Sequence, residues 1–241
     1  MDAASPLAPL AAAPGRSALL FDLDGTLAPI VARPELASVP DETRSELARL
    51  VGRYRLVGCI SGRPEADAVR LLRVDGVETV GNHGLELHPD GARLVASVAS
   101  FRRQIGERWP VEDKGLSLSL HYRGAQDERA AIGLLEPIAR EAEAAGLVPR
   151  WGRKVLEIRP SADADKATAV QALLARSEAG LGLYAGDDTT DLDAFRGLRD
   201  AGLSHAVAVA VASGEADASL LAAADVVVDG PSGLLSLIRL L

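Results

Sequence analysis

The sequence predicts an α/β fold: a doubly wound parallel sheet with a smaller α/β domain inserted into it. Three observations lead there. Short apolar runs recur along the 241 residues and stop abruptly at polar clusters. Helix-like stretches separate several of these runs, the alternation that gives a parallel sheet covered on both faces. From about Leu85 to Arg159 the pattern changes to period two, which belongs to an antiparallel sheet with one apolar face.

Taken in order, the first fifteen residues are rich in Ala and Pro and lack both a basic start and a long apolar stretch. They do not resemble a secretory signal, and a frayed tail in a cytoplasmic protein is expected. Ala18 to Phe21 is a buried strand ending at Asp22. Leu56 to Ile60, Val77 to Gly81, Leu181 to Ala185, Ala206 to Val211 and Asp225 to Val228 are strands of the same kind. Asp41 to Val51, Pro64 to Leu72 and Lys166 to Leu174 are the helices between them. In the inserted segment Leu116, Leu118 and Leu120 alternate with Ser117, Ser119 and His121, a period-two strand with one apolar face, as expected for an open antiparallel sheet. A helix from Gln126 to Ala145 and strands from Leu147 to Trp151 and from Lys154 to Arg159 follow. The expected boundaries are a tail over 1–15, a Rossmann-like core over 16–84 and 160–241, and a cap over 85–159.

Composition narrows the function. Hydrophobic residues make up 48% of the chain and no apolar run reaches membrane-spanning length, so no membrane role is expected. A net charge of -8 argues against a nucleic-acid partner, whose phosphates call for a basic surface. Cys59 is the sole cysteine and sits in an apolar strand, so it is a small buried hydrophobe and no intramolecular disulfide can form. Of the 26 basic residues, three are Lys, namely Lys114, Lys154 and Lys166. Where Arg is the default cation, a retained Lys points to a need for a compact ammonium.

The chemistry gathers after the strands. Phe21, Asp22, Leu23, Asp24, Gly25 and Thr26 put two carboxylates one residue apart on a turn. Such a pair can divide labour: one ligates a metal and attacks, the other gives and takes a proton. Gly186, Asp187, Asp188, Thr189, Thr190 and Asp191 bring three more carboxylates, which would repel one another unless a hard cation or a lysine neutralised them; oxygen ligands suit Mg²⁺. Ser61 and Gly62 offer a hydroxyl and backbone N–H groups to a phosphate. Lys166 opens a helix, whose N-terminus adds to its charge.

These four elements, each after a core strand, resemble the haloacid-dehalogenase-like phosphatase superfamily. Further motifs are similar to those of the trehalose-6-phosphate phosphatase family: Gly81, Asn82, His83, Gly84; Val111 to Gly115 running into His121, Tyr122 and Arg123; the run Lys154 to Pro160; and Gly186 to Phe195. All three lysines fall on motif positions. The match extends from about Leu19 to the end of the sequence.

The resemblance implies a core with a C2-type cap and a two-step hydrolysis. Asp22 would be the nucleophile that forms an aspartyl-phosphate, and Asp24 would protonate the departing sugar oxygen and then activate water. Mg²⁺ would be held by Asp22, the backbone carbonyl of Asp24 and Asp187, with Asp188 and Asp191 in support. Ser61 and Lys166 would hold the transferring phosphoryl group. Gly62, Asn82, His83, Arg93, Lys154 and Glu157 are the remaining candidates for substrate binding. Glu112 and Lys114 are either a salt bridge orienting a cap strand or part of that surface. The expected partner is a small sugar phosphate acted on by a monomer, with association to a trehalose-phosphate synthase left open. Two positions depart from the family pattern: Leu192 stands where an acidic residue is usual, which leaves the sugar itself open, and Ala167 replaces a common Gly. Other sugar-phosphate phosphatases share the core, and a non-catalytic sugar-phosphate-binding partner of a glycosyltransferase is the alternative from another class. Lys154 and Glu157 lie three residues apart, so a regular strand would point them to opposite faces; an irregularity near Lys154 is expected if both meet one sugar.

Overall fold

The structure, a computed structural model, describes residues 5–31, 33–161, 165–214 and 216–241. The chain divides into two compact units, Met1–Gly84 with Ala164–Leu241, and Leu85–Asp163. The start of the expected tail and positions 162–164 beside the expected cap-to-core boundary lie outside the described residues.

The first unit begins with helix α1 (Ala8–Ala12), strand β1 (Ser17–Phe21), helix α2 (Asp41–Val51), strand β2 (Leu56–Ile60), helix α3 (Glu65–Leu72) and strand β3 (Glu78–Val80). The second unit contains α4 (Gly91–Ile105), β4 (Glu112–Asp113), β5 (Leu118–His121), α5 (Glu128–Ala144), β6 (Leu147–Gly152) and β7 (Val155–Pro160). The first unit resumes with α6 (Lys166–Ser177), β8 (Leu181–Gly186), α7 (Asp191–Asp200), β9 (His205–Ala212), α8 (Ala218–Ala223), β10 (Val226–Asp229) and α9 (Gly230–Ile238).

Six parallel strands run β10-β9-β8-β1-β2-β3 in the first unit. Every residue of β1, β2 and β8 is buried, as a sheet covered on both faces requires. Alternate residues of β1 serve the two layers. Leu19 and Phe21 pack with Leu10, Leu47, Leu50, Leu72, Leu234 and Ile238, so α1, α2, α3 and α9 cover that face. Ala18 and Leu20 pack with Val170, Leu173, Phe195, Leu198 and Leu220 of α6, α7 and α8. Chain order reverses between β1 and β8, and at such a switch point the outgoing loops part and leave a crevice at the carboxyl ends of the strands. Asp22 and Asp187 are the residues that leave those two strands.

The expectation of a frayed tail is corrected from Leu7 onward. Leu7 and Leu10 are buried and the Ser17 hydroxyl donates to the Ala13 carbonyl at 2.8 Å. Apolar burial outweighs a composition that reads as linker.

The second unit is a four-stranded antiparallel sheet, β4-β5-β7-β6. Leu118, Leu120, Leu156 and Ile158 share one face and pack with Val98, Phe101 and Ile105 of α4 and Leu135 and Ile138 of α5. The alternation holds, but Ser117 and Ser119 are buried as well, while His121 at the end of β5 is exposed. Cross-strand register places Glu112, Ser119, Glu157 and Arg150 in one row. Among the described residues no helix is long and apolar enough to cross a membrane.

Candidate active site

The nucleophile candidate is fixed by strand geometry. Asp22 N–H donates to the Ala185 carbonyl at 2.9 Å, extending the β1–β8 ladder by one residue and leaving Asp22 6% exposed at the sheet's carboxyl edge. The chain then turns sharply. Gly25 sits at φ +87°, and a Cβ there would lie 2.1 Å from Asp187 Oδ2, so no other residue type fits between the two acidic loops.

Lys166 enters at the start of α6, in the layer that Ala18 and Leu20 face. Asp165 caps α6 by accepting from Thr168 N–H at 2.9 Å, while Asp165 N–H donates to the Thr168 hydroxyl at 3.0 Å, a reciprocal box that fixes the helix start. The buried Lys166 ammonium donates to Asp22 Oδ1 at 2.9 Å and to Asp191 Oδ1 at 2.5 Å. Burial alone would lower the lysine's pKa, but the Asp191 and Asp22 charges outweigh it and hold the group protonated well above its ordinary range. For Asp22 burial dominates and pushes the carboxyl well above the usual carboxylate range, against Lys166 and with Asp191 and Asp187.

Carboxylate oxygens of Asp22, Asp187 and Asp191 lie within 4.8 Å of one another, all three buried. Three carboxylates against one ammonium leave two negative charges in excess, a donor set whose chemistry fits a hard divalent cation. Asp191, however, is filled by protein donors. Its Oδ1 accepts from Lys166 and from the Tyr184 hydroxyl at 2.7 Å; its Oδ2 accepts from the N–H groups of Asp187 and Asp188 at 3.0 and 2.9 Å. It therefore ties lysine, acidic loop and tyrosine together, and leaves Asp22 and Asp187 as the side chains able to face a cation. Thr26 Oγ1 donates to Asp187 Oδ1 at 3.4 Å.

The other predicted metal residues sit outside this trio. The Asp188 carboxylate accepts from Thr189 N–H at 2.7 Å, and Asp24 is held by Arg63, whose Nε and Nη2 donate to its two oxygens at 2.6 and 2.8 Å. Ser61 leaves β2 with its N–H bonded to Val80 O at 2.9 Å. Asn82 N–H donates to Arg63 O at 2.8 Å and His83 N–H to Ser61 O at 2.9 Å, so the two loops are stitched together. Asn82 and His83 are both buried and left-handed, at φ 49° and 54°, with Gly84 following at φ 100°. A Cβ on Gly62 would lie 2.6 Å from His83 Nε2. Two successive non-glycine residues of positive φ store strain of a kind that gathers at functional sites. The sequence reading of Ser61, Gly62, Asn82 and His83 thus falls on one bonded cluster.

The remaining candidates belong to the second unit. Arg93 is exposed near the start of α4 and pairs with Asp90 at 3.2 Å. Lys154 occupies the turn between β6 and β7 at φ 59°, the irregularity expected there, and pairs with Glu128 at 2.7 Å. Glu157 on β7 pairs with Lys114 at 3.7 Å, while Glu112 pairs with His121 at 2.7 Å. Arg63 and Tyr184 were not singled out from sequence. In a chain with 23 arginines one more in a loop carries no signal, and Tyr184 reads as strand core.

A family model described as trehalose-phosphatase matches residues 20–226. An uncharacterized glycosyl hydrolase of Mycobacterium tuberculosis (strain ATCC 25618 / H37Rv) is 36% identical over 215 residues, 80% of this chain and 16% of that protein. A trehalose-phosphate phosphatase of the same strain is 34% identical over 200 residues, 74% of this chain and 50% of that protein. The chain thus spans half or less of the length of these relatives. The Candida albicans trehalose-6-phosphate phosphatase C-terminal domain shares the fold at a TM-score of 0.76 and 23% identity, covering 97% of this chain and 94% of that domain. This chain belongs to the trehalose-phosphatase family.

Proposed function

We propose that this member of the trehalose-phosphatase family hydrolyses trehalose 6-phosphate to trehalose and phosphate through a phosphorylated Asp22, with Mg²⁺ as its cofactor. The observation that carries the reading is the buried Asp22 at the carboxyl end of β1, bonded to Lys166 at 2.9 Å with the Asp187 and Asp191 carboxylates beside it. In this proposal Asp22, the Asp24 carbonyl and Asp187 hold the cation, with Asp188 in support, and the cation supplies charge neutralisation of the phosphoryl oxygens when bound.

An Asp22 carboxylate oxygen attacks phosphorus; the bond from phosphorus to the sugar oxygen breaks, its electron pair stays on that oxygen, and Asp24 delivers the proton. Water then attacks the phosphorus of the aspartyl-phosphate, gives its proton to Asp24 and restores the Asp22 carboxylate. The proton count closes over the two steps. Lys166 and Ser61 orient the phosphoryl group, and positioning plus charge supply most of the catalysis in phosphoryl transfer. Asn82 and His83 on the first unit, and Arg93, Lys154 and Glu157 on the second, are the proposed readers of sugar hydroxyls. Gly62 leaves its backbone N–H for the phosphate. We further propose that the protein works as a monomer in the cytoplasm.

The test is phosphate release from a panel of sugar phosphates, with and without chelator. The reading expects trehalose 6-phosphate to be cleaved best and excess chelator to abolish the activity. Preference for sucrose 6-phosphate or a glycosyl-3-phosphoglycerate would overturn the substrate, and full activity in chelator would overturn the cofactor.

A further inference from the structure

We propose that Arg63 is a positioning residue for proton delivery, aiming the Asp24 carboxyl at the leaving oxygen; this rests on the reading of Asp24 as the acid of the first step. The Arg63 backbone is anchored at both ends, its N–H donating to Ser61 Oγ at 3.1 Å and its carbonyl accepting from Asn82 N–H at 2.8 Å. From that fixed base the guanidinium grips Asp24 as a fork, Nε to Oδ2 at 2.6 Å and Nη2 to Oδ1 at 2.8 Å. Two parallel bonds set the plane of a carboxyl group as well as its distance. The side chains are 15% and 34% exposed, which separates this pair from the solvated ion pairs on the helices.

Residue type carries no argument here, since arginine is this chain's ordinary cation. Geometry carries it. The buried cation proposed for the phosphate is Lys166, which bonds Asp22, while both gripping nitrogens of Arg63 point at Asp24. A carboxyl group can protonate a leaving oxygen only from within hydrogen-bond reach, and a misplacement of about 1 Å costs on the order of 10²-fold in rate. The fork also joins the phosphate-side loop Ser61–Arg63 to the acid, so that one backbone segment sets both. When the sugar oxygen departs with its electron pair, the Asp24 proton follows it, and Arg63 acts on this step through the carboxyl it holds.

The test compares single-turnover cleavage of the best alkyl phosphate from the panel with that of p-nitrophenyl phosphate, whose leaving group departs without a proton. Arg63→Lys keeps the charge and loses the plane; it is expected to slow alkyl phosphate cleavage by at least about tenfold and aryl phosphate cleavage by less than about threefold. Arg63→Gln carries the same comparison should Arg63→Lys fail to fold. Equal losses on both substrates, or no loss on either, would overturn the inference. Asp24→Asn is the control. If it shows no split between the substrates, the reading of Asp24 as acid falls and this inference with it; if it shows the split and the Arg63 variants do not, the inference falls alone.

Discussion

Replacing Asp191 by Asn keeps the side-chain volume and removes one charge, and the four bonds to Asp191 determine what should follow. Both sides of its carboxylate face donors: Lys166 and Tyr184 at Oδ1, the N–H groups of Asp187 and Asp188 at Oδ2. An amide has one accepting end, so in either orientation its NH₂ confronts two buried donors. Each donor left unsatisfied costs about 1–3 kcal/mol. Relief of repulsion among the three carboxylates returns part of this, leaving a net loss of roughly 2–4 kcal/mol, typical of a broken buried network. For a chain of this size that lowers the melting temperature by roughly 5–15 °C. Lys166 also loses one of its two anchors, so turnover should fall by about 10²-fold, or nearly 3 kcal/mol. Calorimetry is the suitable stability assay, because both tryptophans, Trp109 and Trp151, lie in the second unit and report on it. An Asp191→Asn protein that melts within about 1 °C of wild type and keeps its activity would refute the reasoning that this carboxylate is the tie of the site.

Two further outcomes are expected. In metal-free protein the folded state holds the Asp22 proton more tightly than the unfolded chain does, so the Asp22 contribution is intact below its ordinary value of 3.8 and is lost as pH rises through the raised folded value. Asp22→Asn should therefore gain stability over wild type as pH rises from about 4 to 7 in chelator, and a difference that stays flat with pH would contradict the assignment. Glu157→Ala should slow trehalose 6-phosphate hydrolysis by about 10²-fold while aryl phosphates, which lack sugar hydroxyls, lose far less. Equal losses would place Glu157 in folding or phosphate binding.

The legible part of this molecule is the part governed by short-range rules. An apolar strand that stops at Asp22 or at Gly186 announces a sheet edge, and parallel strands put all such ends on one side, so the grouping of Asp22, Ser61 and Asp187 followed from order alone. Asp187 and Asp191 of the acidic cluster after β8 are both buried, and Asp191 begins α7 and turns inward to four donors; nothing local marks which of the three acids does this. Helix α4 was missed although Leu94, Val98, Phe101 and Ile105 recur at helical spacing on its buried face. Arg63 and Tyr184 were invisible for another reason. Their roles exist only through their partners, Asp24 for Arg63 and Asp191 for Tyr184.

The central claim is that Asp22 carries the phosphoryl group. Acid quenching during turnover of p-nitrophenyl phosphate, whose leaving group needs no proton, by an Asp24→Asn variant, in which the second step lacks its base, followed by peptide mass spectrometry, tests it most directly. The account predicts one phosphoryl group per chain on the peptide containing Asp22, and none when Asp22 is also changed to Asn. A phosphoryl group on any other residue, or phosphate release by Asp22→Asn at the wild-type rate, would contradict it.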